Sequence, residues 1–218
     1  MTLAFRSSRR FMLAGFAALG LAFSSAAALA QAASPTVSIA DLMVAGPLGD
    51  KSMGDEKAPV TIVEYASLTC IHCSNFHNEV VPQLKAKYIE SGKVRLIFRE
   101  FPFDPLSTAA SMLARCAPEA RYWPMIDVFY RSFDSWTRAE KPLDAMLAIA
   151  RQAGFTQESF EACLKNQSVY DGINAQRKRG SEVLGVSSTP TLFINGQRVV
   201  GGRSIEELEK IIEPLLNK

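Results

Sequence analysis

Apolar residues recur along the chain with two different periods, and the changes of period mark the predicted elements. Residues 60–66 are rich in β-branched side chains and predict a strand. Apolar positions between residues 76 and 88 recur at helical spacing, so a helix is expected from about residue 70 or 71 to Gly92. Residues 94–98 are mostly apolar and predict a second strand. This order implies a parallel strand pair with a right-handed crossover.

The second half of the chain predicts helices and then a hairpin. The pattern is helical from residue 104 to about residue 184, too long for a simple connection, so we expect an inserted helical subdomain. Asn195-Gly196 stands between two short apolar runs, which is typical of a tight β-hairpin. Ser204 and Glu207 then have the spacing of a capping box at the start of a final helix. The fold class is therefore predicted to be α/β with a mixed sheet.

The first 32 residues have the three-part pattern of a secretory signal. Arg6, Arg9 and Arg10 precede an uncharged, mostly apolar run, and small residues follow it up to Ala32. We predict a signal peptide over residues 1–32 that is cleaved near residues 30–32; an uncleaved anchor helix is the alternative. No later segment is apolar for long enough to span a membrane. The mature protein is thus expected to be soluble and exported to the bacterial periplasm, where disulfides persist.

Removal of the signal changes the charge balance. The whole chain has 24 basic and 22 acidic residues, and three of the basic residues belong to the signal. The mature chain therefore has 21 basic residues against 22 acidic ones, which offers no electrostatic footprint for nucleic acid. Residues 33–57, which are small, polar and interrupted by Gly and Pro, are interpreted as a leader segment with one short element.

Cys70-Ile71-His72-Cys73 stands between the first predicted strand and the helix. Two cysteines at this spacing can close a redox-active disulfide. The amino end of a helix stabilises a thiolate, so Cys70 is predicted to be the exposed nucleophile and Cys73 the more buried, resolving thiol. His72, placed between them, would stabilise the thiolate further and make the disulfide a stronger oxidant.

Other readings of this segment remain open. The chain has two histidines, His72 and His77, and both lie close to the cysteine pair, so Cys70, Cys73 and His77 can also be read as ligands of zinc or copper(I). A closed zinc site would need a second ligand pair, and the sequence has none. Haem attachment is disfavoured because Ser74 follows Cys73. An inert local disulfide is the remaining alternative.

These residues resemble the bacterial DsbA-like thiol:disulfide oxidoreductases of the thioredoxin superfamily. The motifs that carry the resemblance are Gly54-Asp55, Ala58-Pro59-Val60, Val63-Glu64-Tyr65, Cys70-Ile71-His72-Cys73, Phe76, Gly92-Lys93-Val94-Arg95, Phe101-Pro102, Thr189-Pro190-Thr191 and Phe193-Ile194-Asn195-Gly196. The resemblance implies a thioredoxin fold with an inserted helical subdomain: a thioredoxin-like domain over residues 58–103 and 185–218, and the insertion over residues 104–184.

The resemblance also implies roles for residues outside the cysteine pair. The Thr189–Pro190 bond is expected to be cis, which would expose the backbone of Thr189 to a substrate peptide. Glu64 matches the acidic residue beneath the active site of the family and would take the proton of Cys73; a strand-end residue facing solvent is the alternative. The chain departs from the best-known members at Ile71, where they have proline, and at His77, where they have an acid.

The other two cysteines, Cys116 and Cys163, lie on different predicted helices of the insertion. Two unpaired thiols would be a liability in an oxidising compartment, so a structural disulfide between them is predicted. A subset of the DsbA-like proteins resembles this chain in having a second, non-catalytic bridge. Two buried free cysteines that act as small hydrophobic residues are the alternative.

The leading hypothesis is a periplasmic oxidase that donates the Cys70–Cys73 disulfide to exported proteins during oxidative folding. Its partners would be unfolded or partly folded exported proteins with cysteines and, by resemblance, a quinone-linked membrane reoxidant of the DsbB type. No cofactor is expected. A disulfide isomerase or reductase is the second hypothesis. Isomerases of the superfamily usually add a dimerisation domain, and the short leader leaves no room for one, so a monomer is expected. A copper- or zinc-binding module is the third hypothesis.

Overall fold

The computed structural model describes residues 36–217 of the 218-residue chain. The predicted signal peptide, residues 1–32, lies outside these residues. Within residues 36–217, no helix joins the length and the apolar character that crossing a membrane requires.

Five strands form one mixed sheet in the order β1-β3-β2-β4-β5. Their bounds are β1 Lys51–Met53, β2 Val60–Ala66, β3 Val94–Glu100, β4 Thr191–Ile194 and β5 Gln197–Val200. The central pair β2 and β3 is parallel, whereas the other neighbours are antiparallel. Asn195 and Gly196, between β4 and β5, have φ angles of 44° and 87°, the conformation that a two-residue hairpin turn needs. The predicted parallel pair and hairpin are both confirmed.

Among the described residues, two helices precede β3. The short helix α1 spans Ile39–Leu42. The helix α2 covers residues 71–89 without a break and consists of the segments Ile71–Asn75, Phe76–Val80, Val81–Leu84 and Lys85–Ile89. The second and fourth segments have the wider π geometry. Pro82, which has no backbone N–H, stands next to the first of these and removes one α-helical hydrogen bond there.

The insertion between β3 and β4 is helical, as predicted, and one more helix follows the hairpin. The bounds are α3 Pro105–Cys116, α4 Tyr122–Arg131, α5 Phe133–Thr137, α6 Pro142–Gln152, α7 Gln157–Leu164, α8 Gln167–Glu182 and α9 Ile205–Leu216. The side chains of Ser204 and Glu207 form the predicted capping box at the start of α9.

The central strands β2, β3 and β4 are covered on both faces, and their side chains point alternately to one face and the other. Val60 and Ile62 of β2 pack with α2 and α9. Val63 and Tyr65 pack on the opposite face with α1 and the segment after α8. The helices of the insertion enclose a third core that also contains Cys73. Glu64 follows the alternation of Val60 and Ile62, so its carboxylate is on the α2 face of the sheet.

The predicted leader differs from the structure, because residues 36–57 contribute both α1 and β1. Strand β1 pairs with β3 and completes one edge of the sheet. The guanidinium of Arg99 in β3 donates two hydrogen bonds of 2.8 Å to Asp50, and a third of 2.7 Å to the carbonyl of Leu42. A three-residue strand that contains Lys51 and Ser52 has no apolar period, so the hydrophobic pattern could not reveal it.

A buried ion pair joins the insertion to the sheet. Arg115 near the end of α3 donates to both carboxylate oxygens of Glu100, the last residue of β3. Its guanidinium also donates to the carbonyl of Gly49, at 2.9 Å. The carboxylate of Glu100 raises the pKa of Arg115 although burial opposes this rise. Removing one partner of such a pair would leave an uncompensated buried charge, so this contact fixes α3 against β3.

Candidate functional site

The cysteine pair lies where the chain passes from the end of β2 into α2. Cys70 is the N-cap residue of α2 and is partly exposed, whereas Cys73 is buried in the first turn. Both are thiols in the structure and are not bonded to each other. The sequence-based placement of the pair, between a strand and the amino end of a helix, agrees with this geometry.

The surroundings of Cys70 favour its thiolate. A hydrogen bond from the thiol of Cys73 is the main cause that lowers the pKa of Cys70 to about 5, from a usual 9.0. Backbone N–H groups of Cys73 and His72 add to this effect, while partial burial opposes it. These N–H groups have no partner within the helix, so the thiolate takes the place of a capping side chain. Cys70 can therefore act as a nucleophile near neutral pH.

The surroundings of Cys73 have the opposite effect. Burial is the largest cause that raises the pKa of the Cys73 thiol well above 9.0. The hydrogen bond to Cys70 and the negative charge of Glu64 raise it further. Two thiols only three positions apart thus hold one proton between them, and that proton stays on Cys73. Any reaction in which Cys73 becomes a nucleophile must first remove the proton.

The loop before β4 faces Cys70. The Sγ atom of Cys70 lies 3.3 Å from the carbonyl oxygen of Thr189. The Thr189–Pro190 peptide bond is cis, and Pro190 is buried while Thr189 is half-buried. The backbone of Thr189 thus lies beside the reactive sulfur, where an extended peptide could pair with it.

A groove runs beside the cysteine pair between α2 and the start of α9. It has a volume of about 330 Å³ and is lined by His72, Asn75, Phe76, Glu79, Val80, Gln83, Gly202, Arg203, Ser204, Ile205 and Glu206. Among the residues predicted for the site, His72 lies in this groove with an exposed side chain. Most of the side chains that line the groove are polar or charged.

Glu64 is fully buried on the α2 face of the sheet and does not face solvent, which excludes the alternative considered for it. Its Oε2 lies 2.9 Å from Nε2 of His77. Its other oxygen, Oε1, is buried and has no hydrogen-bond partner within the described residues. The negative charge of Glu64 raises the pKa of Cys73, which places the carboxylate within electrostatic reach of that thiol.

His77 and Tyr130 complete the interior of the site, and sequence reasoning missed their connection to it. The two rings stack with centroids 4.5 Å apart, and the hydroxyl of Tyr130 donates to the carbonyl of Ser67 at 3.3 Å. A sequence signal for His77 existed: it follows Cys73 by four residues, so it is on the same face of α2. Tyr130 comes from the insertion, and its role could not be predicted from local spacing.

The loop that presents Cys70 is held by a second contact that the sequence did not predict. Thr69 donates a hydrogen bond to the carboxylate of Asp104, which also accepts a bond of 2.7 Å from the backbone N–H of Ser107. The hydroxyl of Ser107 in turn bonds to Ser67 at 2.8 Å and accepts from the N–H of Leu68 at 3.1 Å. The N-cap of α3 thus fixes the segment between β2 and α2.

The metal-site reading has no support in the geometry. Among residues 36–217, no group of three Cys, His, Asp or Glu side chains is arranged to share an ion. The Nε2 atom of His77, which that reading would use, faces the carboxylate of Glu64 instead.

A disulfide joins Cys116 and Cys163 across the insertion. Cys116 is the last residue of α3 and Cys163 lies in the last turn of α7, with their Cα atoms 6.1 Å apart. The two residues are 47 positions apart, so the bridge closes most of the α3–α7 segment into one covalent loop. This bridge is separate from the Cys70–Cys73 pair.

Comparisons with known proteins agree with this geometry. A family model described as thioredoxin matches residues 48–214. The "Putative protein-disulfide oxidoreductase" of Rickettsia bellii is 29% identical over 148 residues, which cover 67% of this chain and 57% of that protein. The chain thus spans about three fifths of the length of the Rickettsia relatives it matches.

Two solved structures are similar over most of the described chain. Wolbachia pipientis alpha-DsbA1 is 32% identical, with a TM-score of 0.75 and coverage of 81% of this chain and 96% of that one. A protein-disulfide isomerase from Novosphingobium aromaticivorans is 25% identical, with a TM-score of 0.69 and coverage of 80% and 100%. The chain therefore belongs to the thioredoxin family. Within that family it is a DsbA-like thiol:disulfide oxidoreductase relative, as its cysteine pair and helical insertion indicated.

Proposed function

We propose that this chain is an oxidase that donates the Cys70–Cys73 disulfide to other proteins. The observation that carries the proposal is the opposite pKa shift of the two thiols, down to about 5 at Cys70 and upward at Cys73. A stabilised Cys70 thiolate lowers the free energy of the reduced form, so the disulfide gives up its oxidising equivalents readily.

The transfer proceeds by two exchanges. A substrate thiolate attacks Sγ of Cys70, a substrate–Cys70 disulfide forms, and the Cys70–Cys73 bond breaks with its electron pair on Cys73, which takes a proton. A second substrate thiolate then attacks the substrate sulfur and releases Cys70 as a thiolate. The substrate loses two electrons and the protein gains them. Thr189 and Pro190 would position the substrate backbone, and His72 would stabilise the Cys70 thiolate.

Glu64 would act in the proton steps of this cycle. Its carboxylate is buried, is near enough to Cys73 to raise the pKa of that thiol, and has one oxygen free of hydrogen bonds among the described residues. A carboxylate in this state can accept the Cys73 proton when the disulfide is restored.

The cellular setting follows from the sequence. The signal pattern at residues 1–32 supports export to the periplasm, where the substrates would be newly exported proteins with cysteines. Restoring the disulfide needs an electron acceptor, for which a membrane protein of the DsbB type is the expected partner. We propose that the protein acts as a monomer.

The equilibrium of the Cys70–Cys73 pair with a glutathione redox series, read by thiol labelling, tests the proposal. An oxidase requires a midpoint potential above about −180 mV, the value typical of protein disulfide isomerase. The Cys116→Ala, Cys163→Ala double variant is the matched control, because it leaves the Cys70–Cys73 pair as the sole pair that titrates. A midpoint near about −270 mV, as in thioredoxin, would overturn the oxidase proposal.

A disulfide isomerase or reductase is the second candidate, favoured by the name of the Novosphingobium relative. It would use the same residues but would be kept reduced by a membrane electron donor. Refolding of a protein with scrambled disulfides separates the two candidates. An isomerase restores the native bonds when supplied in its reduced form, whereas an oxidase only adds bonds to a reduced substrate.

A further inference from the structure

The ring of His77 is held on three sides in the interior behind Cys73. Its Nε2 atom faces Oε2 of Glu64 at 2.9 Å, and both side chains are almost completely buried. Tyr130 stacks on one face of the ring, and Phe98 meets it edge-on with centroids 5.5 Å apart. Apolar packing alone would favour a hydrocarbon side chain here, so the buried imidazole needs a polar reason.

A cleft on the far side of α2 reaches this histidine. It has a volume of about 600 Å³, and His77 lines it together with Asn78, Lys85, Trp123, Asp127 and Arg131. Water takes up about 30 Å³ per molecule in the liquid, so the cleft has room for many molecules. It is lined by different residues from those of the groove beside Cys70. His77 therefore lies between this cleft, of which it is a buried lining residue, and the carboxylate of Glu64.

The carboxylate of Glu64 can also accept a hydrogen bond or a proton from a second partner. Oε1 of Glu64 is buried without a partner among the described residues, although a buried carboxylate oxygen is normally hydrogen-bonded. The charge of this carboxylate acts on the Cys73 thiol. Cys73, Glu64, His77 and the cleft thus form a series that begins at the thiol whose proton the chemistry must move and ends at a cleft separate from the groove beside Cys70.

We propose that His77 and Glu64 together carry the proton of Cys73, and that the cleft lined by Lys85, Trp123 and Asp127 is where this proton leaves and enters. The inference rests on the proposed function, because it concerns the thiol–disulfide exchange of the same cysteine pair. His77 acts through Glu64, with which it shares the proton, and it does not itself take part in the sulfur chemistry.

The proton and charge balance of the step is simple. When the disulfide is restored, Cys73 gives its proton to the Glu64–His77 pair, which changes from a net charge of −1 to zero. The Cys73 thiolate attacks Sγ of Cys70 in a mixed disulfide, the Cys70–Cys73 bond forms, and the outgoing thiolate leaves with the electron pair. The pair then releases the proton through the cleft. With His77 present, the protonated pair can remain a carboxylate and an imidazolium, so the interior never holds more than one net charge.

The charged groups around the pair are compatible with this path. The side chains that face or flank His77 are Cys73 on its own helix, Glu64 on β2, Tyr130 on α4, and Lys85, Asp127 and Arg131 at the cleft. Burial raises the pKa of the Tyr130 hydroxyl well above 10.0, so this group keeps its own proton and cannot accept the proton of Cys73.

The test measures the rate of one thiol–disulfide exchange, in which Cys73 attacks Cys70 and releases a glutathione attached to it. The reduced protein is joined to glutathione at Cys70 in acid, where Cys73 cannot attack. The pH is then raised to 7 by rapid mixing, and samples quenched in acid are counted by mass. In His77→Gln, the amide can still donate to Glu64 but cannot carry a proton. We expect this variant to keep its melting temperature and to release glutathione about a hundredfold more slowly than the natural chain, the lower end of what a general base contributes.

Chemical rescue separates a proton-carrying role from a packing role. His77→Ala leaves a space beside the cleft, and added imidazole should restore most of the lost rate. Pyrazole, which has the same size but is scarcely basic, should not restore it. Imidazole should also have no effect on Glu64→Gln, because that variant lacks the group that receives the proton from Cys73.

Each result decides the matter. Equal release rates for His77→Gln and the natural chain would overturn the proposal, and so would rescue of His77→Ala by pyrazole as well as by imidazole. If no glutathione adduct forms at Cys70 in the natural chain, the proposed function itself is wrong and the inference falls with it. If the glutathione adduct forms at the same rate in all variants, the reactivity of Cys70 is unchanged. The differences in glutathione release then report on Cys73 alone.

Discussion

The two cysteine pairs of this chain lie at opposite ends of helices. Cys70 is at the amino end of α2, where unpartnered N–H groups face its sulfur. Cys116 ends α3 and Cys163 lies in the last turn of α7, where the helix presents carbonyl oxygens. The sulfur of Cys163 is even within 3.2 Å of a carbonyl, that of Met112. Amino ends of helices favour a thiolate and carboxyl ends disfavour it.

This difference explains how one chain can hold both a cysteine pair that favours a thiolate and a bridge whose surroundings disfavour one. Exchange requires a thiolate that is both stabilised and accessible. The Cys70–Cys73 pair meets both conditions at Cys70. At the Cys116–Cys163 bridge, Cys163 is 5% exposed, Cys116 is half-buried and both lie at carboxyl ends of helices, so we expect exchange at the bridge to be slow.

The largest expected effect concerns activity. Cys70→Ser should lower the rate of thiol oxidation in a reduced model substrate by at least about a thousandfold, because it removes the nucleophile. The Cys116→Ala, Cys163→Ala double variant, assayed below its melting temperature, should keep most of the activity. If the double variant lost activity as completely as Cys70→Ser, the division into a reactive and an inert pair would be wrong.

The next effect concerns stability. A bridge between residues 47 positions apart restricts the unfolded chain by about 3–4 kcal/mol in the chain-entropy model. The double variant should therefore unfold at a lower denaturant concentration, with a melting temperature lower by about 10 °C. Unfolding curves of the natural chain and the double variant, both with Cys70 and Cys73 oxidised, measure this difference. Coincident curves would show that the bridge does not stabilise the fold.

The smallest effect is a pH dependence that only the Cys70–Cys73 pair should show. The pKa of Cys70 is lowered to about 5 in the folded reduced form, from 9.0. The thiolate therefore contributes fully to the stability of the reduced form above pH 9, and this contribution is lost as the pH falls through 5. At pH 7 the Cys70 thiolate contributes about 1–2 kcal/mol to the free energy of unfolding of the reduced form, a value reduced to allow for solvent screening.

Two measurements check this pH dependence. Thiolate absorbance in the ultraviolet should titrate with a midpoint near pH 5, and Cys70→Ser should abolish this signal. The free energy of unfolding of the reduced protein, measured relative to that of the oxidised protein, should rise between pH 5 and pH 9. A midpoint near pH 9 would remove the physical basis of the oxidase proposal.

Much of the fold could be predicted from local patterns. The parallel pair, the hairpin at Asn195-Gly196 and the capping box at Ser204 depend on residues close together in sequence, so spacing revealed them. The strand β1 was missed because its three residues have no apolar period. The break between α4 and α5 at Ser132 was also missed, because the aromatic residues continue across it.

The site also has one part that the sequence could predict and one part that it could not. Cys70, Cys73 and His72 could be recognised from one motif and its position between a strand and a helix. The Glu64–His77 contact depends on how α2 packs against β2, and the link from Thr69 to Asp104 joins segments 35 positions apart. Such contacts are set by the packing of whole elements, which no short pattern encodes.

The contact between Cys70 and Thr189 has a consequence for the order in which the protein matures. These residues are 119 positions apart, and β4, which Thr189 precedes, pairs with β2, which Cys70 follows. Contacts between distant segments form late in folding, because the loop between them must close first. A nascent chain that has left the ribosome only as far as the insertion therefore carries the cysteine motif without the cis-proline loop opposite it. The site becomes complete only when the hairpin joins the sheet, so under the proposed function a partly folded copy has thiols open to oxidation before it can donate a disulfide.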